Sequence, residues 1–178
     1  MPLFDFEGKR PRVHPTAFVA PTAVLVGDVT VEENASVWYN AVLRADFNTI
    51  VVRRGANVQD GSVLHVTHDT WPLEIGDEVT VGHSVTLHGC VIEGPALIGM
   101  GAVILDGARL APNVIVAAGS LVPERCHVPP NSLVMGLPAK VKRELTEQEI
   151  ASLKVSADNY VRYRLDYMEG GTQGDAPR

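Results

Sequence analysis

Three of the chain's six histidines, His65, His83 and His88, stand where a regularly coiled backbone would bring imidazoles together. His65 directly follows Leu64 and His88 directly follows Leu87, whereas His83 stands two residues after Val81. Neutral imidazole is a good ligand for borderline divalent cations. Three of them with an open fourth position suit a catalytic Zn²⁺, at N–Zn distances of about 2.0–2.1 Å. Such an ion lowers the pKa of its water to about 7 and so supplies hydroxide at neutral pH. Fe²⁺, Co²⁺ and Ni²⁺ also accept imidazole, and availability decides among them. The alternative is that the three are solvated surface groups, which their regular placement argues against. His14, His68 and His127 fall outside the pattern, His68 in an inserted loop where solvation is expected.

The positioning element is an internal repeat, the first thing to seek in any sequence. From Val13 the chain steps by six through Val19, Leu25, Val31, Val37 and Leu43, slips by three, and resumes at Val52, Val58 and Leu64. It slips by five to Ile75, Val81 and Leu87, loses one residue, and runs on through Ile92, Ile98, Ile104, Leu110, Val116, Val122, Val128 and Val134. The residue four positions later is usually small, as at Ala17, Ala23, Ala35, Ala41, Ala56, Ser62, Ala96, Ala102, Ala108, Ser120 and Ser132. A period of six is neither 3.6 nor 2, so amphipathic helices and half-buried strands both fit poorly. It fits a short strand and a turn, one inward aliphatic per face. Three faces close a triangular coil, and coils stack at roughly 4.8 Å. Insertions in such a solenoid bulge out as loops on one face.

Counting faces then places the histidines. Val52, Val58 and Leu64 begin the three faces of one coil, and Ile75, Val81 and Leu87 those of the next. His65 and His88 therefore stack one coil apart, near enough to share an ion, while His83 lies around a corner. A neighbouring chain could bring its own His83 to the pair, and a threefold trimer would repeat the contact three times. Arg44 takes the slot of His65 one coil earlier, and Asp60 takes that of His83. If His83 crosses to the neighbour, Asp60 meets the neighbour's Arg44, a guanidinium–carboxylate pair suited to an interface. Asp46 either orients Arg44 or is solvated. Gln59 either hydrogen-bonds metal-bound water or bicarbonate or points to solvent.

Composition bounds the partners. With 178 residues and 46% apolar content, one domain with a continuous core is expected. A formal charge of −6 leaves no basic footprint for nucleic acid. No apolar run approaches membrane-spanning length, and Met1-Pro2-Leu3-Phe4-Asp5 lacks the order of a secretory signal, so a cytoplasmic protein is expected. Cys90 and Cys126 make no disulfide framework. After Lys140 the period changes: Thr146-Glu147-Gln148-Glu149 reads as a capping box, followed by a helical stripe of Ile150, Leu153, Ala157, Val161, Leu165 and Met168. The expected organisation is a β-helical domain over 1–140, a helix within 141–169 packed on it, and a disordered tail over 170–178.

The hexads, with the closing Gly136-Leu137-Pro138-Ala139-Lys140, resemble the left-handed parallel β-helix of hexapeptide-repeat proteins. The left hand is implied by that resemblance alone, since the general crossover rule predicts the opposite. Arg44-Ala45-Asp46, Asn57-Val58-Gln59-Asp60-Gly61, Leu64-His65 and the run from Gly82 to Cys90 narrow the resemblance to the γ-class carbonic anhydrase family, from about Pro11 to Lys140. The resemblance implies a homotrimer that hydrates CO₂ to bicarbonate. Its metal lies between subunits, held by His65 and His88 of one chain and His83 of the next, with Arg44 and Asp60 joining the subunits. There is one departure. The family's founding type carries proton-carrying glutamates, one directly after the Arg-x-Asp motif, where this chain has Phe47. The family's late tyrosine has no secure match. Tyr160 is the candidate, with packing as its other role.

Three other functions share this fold: an acyltransferase using acyl-CoA with histidine as general base, a metal-dependent acyl-CoA thioesterase, and a metal-stabilised assembly subunit without turnover. Metal content separates the first of these from the CO₂ reading.

Overall fold

The structure, a computed structural model, describes residues 3–170. Short parallel strands follow one another around three faces and pair with their counterparts one coil on, giving a left-handed parallel β-helix of about seven turns with one C-terminal helix. The first face is an eight-stranded sheet, from Phe18–Val19 through Asn57–Val58 and Val79–Val81 to Ser132–Gly136, closed by Ala139–Glu144. The second and third faces form one twelve-stranded sheet, because Val24–Val31 and Val42–Val52 run through the corner between them. On the second face residues 42–44 are followed by Val63–His65, Thr86–His88, Val103–Ile104 and Leu121–Val122.

The hexad arithmetic holds in three dimensions. Nineteen of the twenty repeating aliphatics are buried, and Val13, at the open end, is partly so. The eleven small residues four places later are all buried too, at turns with no room for larger side chains. Main-chain groups between coils are paired as strands require, for example Thr86↔Val63 and Leu87↔Leu64.

All three breaks in the frame fall at one corner, between the second and third faces. Opposite Asp28, between the paired Gly27↔Ala45 and Val29↔Ile50, stand the four residues 46–49. In the next coil, residues 66–72 loop out between His65 and Leu73, and the shortened hexad after Leu87 turns the same corner. Gly27 lets the bulge close up: it has φ +74°, and a Cβ there would collide with the Ala45 carbonyl.

The expected boundary at Lys140 falls inside a strand. The chain reverses at Gly136 and returns as Ala139–Glu144, antiparallel to Ser132–Gly136, covering an edge that would otherwise end unpaired. The helix follows, Glu147–Gly170, and lies against the first face, contacting Phe18–Val19, Ser36–Val37 and Val79–Val81. Its contact stripe is Leu153, Ala157, Tyr160, Arg164 and Tyr167. Leu165 and Met168, expected on that stripe, are 42% and 46% exposed. In their place Arg164 donates to the Thr16 carbonyl and to Asn34 Oδ1, and Tyr167 packs on Phe18 and Trp38. Residues 171–178, expected to be disordered, lie outside the described residues. No helix among the described residues is long and apolar enough to cross a membrane.

Candidate metal centre

At the irregular corner the repeat stacks Arg44, His65 and His88 in register, one per coil. His65 Nδ1 lies 3.0 Å from His88 Nε2. Their other ring nitrogens both meet carboxylates: His65 Nε2 is 3.0 Å from Asp46 Oδ1, and His88 Nδ1 is 2.6 Å from Asp106 Oδ1. Carboxylates accept only, so each of these ring nitrogens carries a proton. With both rings neutral, the two nitrogens that face one another present lone pairs, a donor pair that could hold a cation. A distal carboxylate on a ligating histidine is the usual support of such a site.

Asp46 comes from the first bulge and is buried, with 7% of its side chain exposed. Burial works to raise its carboxyl, but hydrogen bonds from His65 and Arg44 and the Arg44 charge outweigh it and hold it below its usual range. It also accepts from the Phe47 amide at 3.1 Å. The two readings of Asp46 thus resolve in favour of the first, since it pairs with Arg44 and in addition holds His65. Burial lowers the pKa of His65, and the charge of Arg44 adds to this against the pull of Asp46, favouring the neutral ligand form.

His83 stands at the other end of the second face, stacked one coil beyond Asp60. His83 Nδ1 is 2.9 Å from Asp60 Oδ2, so a third imidazole has its distal nitrogen on a carboxylate. Its side chain is 46% exposed. Among the described residues of one chain, no three His, Cys, Asp or Glu side chains converge as a metal cluster. A single chain therefore brings His65 and His88 together and leaves His83 around the corner. Arg44 is half exposed and bonds Asp46 within its own chain, and Asp60 bonds His83.

Gln59 is buried and lines a pocket with His83. Its amide nitrogen donates to Asn57 Oδ1 at 3.2 Å, Asn57 donates to Thr80 Oγ1, and Thr80 meets Ser156 on the helix. Tyr160 packs edge-on against Trp38 and lines a second pocket with Asp60. Burial, the Asp60 charge and Tyr163 push its hydroxyl up, so it stays a phenol. Neither residue touches the His65–His88 pair of its own chain. His68 packs at a tilt against Phe47, ring centroids 5.2 Å apart, at the outer edge of the same corner.

Sequence reasoning missed Asp106. A signal was available: Asp106 occupies the slot of Gly89 one coil on, so its side chain has free passage over a residue without Cβ. The cysteines are free, and their carbonyls accept from Glu74 and Arg109, which are two coils apart on the third face. Burial and then the Asp106 charge push the Cys90 thiol up to about 12.

No family model matches the chain. A carbonic anhydrase of Geobacillus kaustophilus is 42% identical to it, over 95% of this chain and 88% of that one. The mitochondrial gamma carbonic anhydrase 2 of Arabidopsis thaliana is 44% identical over 90% of this chain, which spans 59% of the plant protein's length. Among solved structures, a Bacillus cereus protein described as a putative acetyltransferase superposes with a TM-score of 0.92 at 40% identity, covering 94% of this chain and 96% of that one.

Proposed function

The chain belongs to the γ-class carbonic anhydrase family, and on that premise we propose that it catalyses CO₂ + H₂O ⇌ HCO₃⁻ + H⁺ at a metal centre completed between the subunits of a homotrimer. The observation that carries this is the His65 Nδ1–His88 Nε2 pair, whose distal nitrogens are both held by carboxylates. The donor set fits Zn²⁺, with Fe²⁺, Co²⁺ and Ni²⁺ as competitors of the same ligand chemistry. When bound, such an ion acidifies a water and supplies the nucleophile for CO₂ at neutral pH.

The chain's own residues do the rest. His65 and His88 hold two positions, and His83 of the next chain takes a third, its Nδ1 already engaged by Asp60. The face between the two half-sites supports a subunit contact there. In a strand the residue before each inward aliphatic points outward, and on this face Val24, Val42, Val63, Val103 and Leu121 do so, none of them fully buried. Arg44, half exposed beside Asp46, is free to meet Asp60 of the neighbour with its remaining donors. Gln59, pinned through Asn57 and Thr80, hydrogen-bonds the water or the bicarbonate product. Tyr160 stands farther off, on the helix side of Asp60.

The test is elemental analysis of anaerobically purified protein paired with a CO₂ hydration assay. One divalent ion per chain, lost in His88→Ala together with hydration, is the expected result. The Bacillus neighbour's description keeps an acyl-transfer reading open. Metal-free protein that consumes acetyl-CoA would establish that reading and sink this one.

A further inference from the structure

Asp106 enters the site from a coil that contributes none of the three histidines. Asp106 Oδ1 lies 2.6 Å from His88 Nδ1, while Oδ2 accepts from Thr67 Oγ1 at 2.9 Å. Both oxygens are thus aimed, and the carboxylate cannot rotate without losing one partner. Thr67 is held in turn. It pairs with Trp71 across the inserted loop, and the Trp71 ring lies over Gly107, where an added Cβ would sit 3.1 Å from it. Beneath the carboxylate is Gly89, with φ +49°, where any Cβ would collide with Asp106 Oδ1. The loop, the glycine and the tryptophan therefore converge on one result, a fixed carboxylate against His88.

We infer that Asp106 is the positioning residue of His88: it accepts a hydrogen bond from Nδ1–H, keeps the proton on that nitrogen, and so leaves Nε2 as the nitrogen that faces His65 and binds the ion. This rests on the metal centre proposed above. Without Asp106, His88 is free to place its proton on Nε2 or to turn its ring, and either removes a ligand.

The test uses the full chain in two variants, Asp106→Ala and the isosteric Asp106→Asn, with Zn²⁺ alone as probe in competition with a chromophoric chelator. Loss of a carboxylate behind a ligating histidine costs roughly 10–100-fold in metal affinity, and Asp106→Ala is expected in that range. Asp106→Asn keeps a neutral acceptor and should lose less, about threefold to tenfold by the same reasoning. Nitrogen-15 NMR of the metal-free protein provides a readout that general destabilisation does not move. His88 should be the Nδ1–H tautomer in the parent and in Asp106→Asn, and a mixture in Asp106→Ala.

Zn²⁺ affinity in Asp106→Ala equal to the parent's, with an unchanged tautomer, overturns the role of Asp106 and leaves the metal centre standing. A parent protein that takes up no ion overturns the metal centre instead. If Asp106→Ala does not fold, Asp106→Asn decides, and unchanged affinity there counts against the proposal.

Discussion

Phe47 directly follows Asp46, whose carboxylate accepts both from the Phe47 amide and from His65. Its ring is 43% exposed and packed between Phe6 and His68. An aromatic ring carries no proton, so Phe47 itself cannot relay the proton that the proposed hydration would release. Phe47→Glu places a carboxylate where the related enzymes' founding type has one. In dilute buffer we expect kcat to rise about tenfold, less than the 10²–10⁴ of a fully positioned acid–base group. In concentrated imidazole buffer parent and variant should converge, because the buffer then carries the proton for both. Stopped-flow hydration across a buffer series reads this directly. Equal kcat at low buffer would mean that proton transfer does not limit turnover.

The C-terminal helix is positioned at both ends by groups that are legible one at a time. At its start, Thr146 Oγ1 accepts from the Glu149 amide and Glu149 Oε2 accepts from the Thr146 amide, while Arg143 donates to both Glu149 oxygens. At its far end, Arg164 reaches the first coils. The Arg143 hydrogen bond, with the Thr146 amide adding to it, holds Glu149 down at about 2, below its ordinary 4.5. A carboxyl depressed in the folded state contributes stability that is complete above its unfolded pKa and is lost as pH falls through the folded one. The melting-temperature gap between the parent and Glu149→Gln should therefore be constant above about pH 5, close between about 4.5 and 2, and vanish below. A gap that persists undiminished down to pH 2 would show that Glu149 acts by packing rather than by charge. Thr146→Ala, which removes the other half of the box, should cost about 1 kcal/mol at neutral pH.

For the whole molecule the decisive question is where the third ligand comes from. If the neighbour's His83 completes the site at His65 and His88, as proposed, neither His65→Ala nor His83→Ala can build a complete site alone. Co-folded, they can: the His83→Ala chain still supplies His65 and His88, and the His65→Ala chain still supplies His83. Each site in a cyclic trimer uses one ordered pair of neighbours, so random equal mixing restores about a quarter of the sites. Metal retention is the better readout, because it does not depend on the route of the proton. Mixed trimers, verified by mass, that bind no more metal than either parent would remove the shared site and favour acyl transfer.

The prism, its coil count and the partition of residues among faces are already written in the order of residues. One aliphatic every six residues admits one inward direction per strand, and stacking leaves no freedom of register. That is why Arg44, His65 and His88 could be aligned by counting, and why the departures from six, at 44–51, 65–74 and 88–91, mark the corner where these side chains gather. Counting stops where the period stops. The partner of His88 is Asp106, and the loop that holds Asp106 through Thr67 and Trp71 has no repeat to fix its path. Its course depends on contacts between residues 39 positions apart. The helix shows the same limit. A 3.6-residue stripe was legible, but Leu165 and Met168 yielded their places to Tyr160, Arg164 and Tyr167. The face a helix buries is set by the surface it meets, here Trp38, Phe18 and the Thr16 carbonyl, and that surface exists only once the coils have closed.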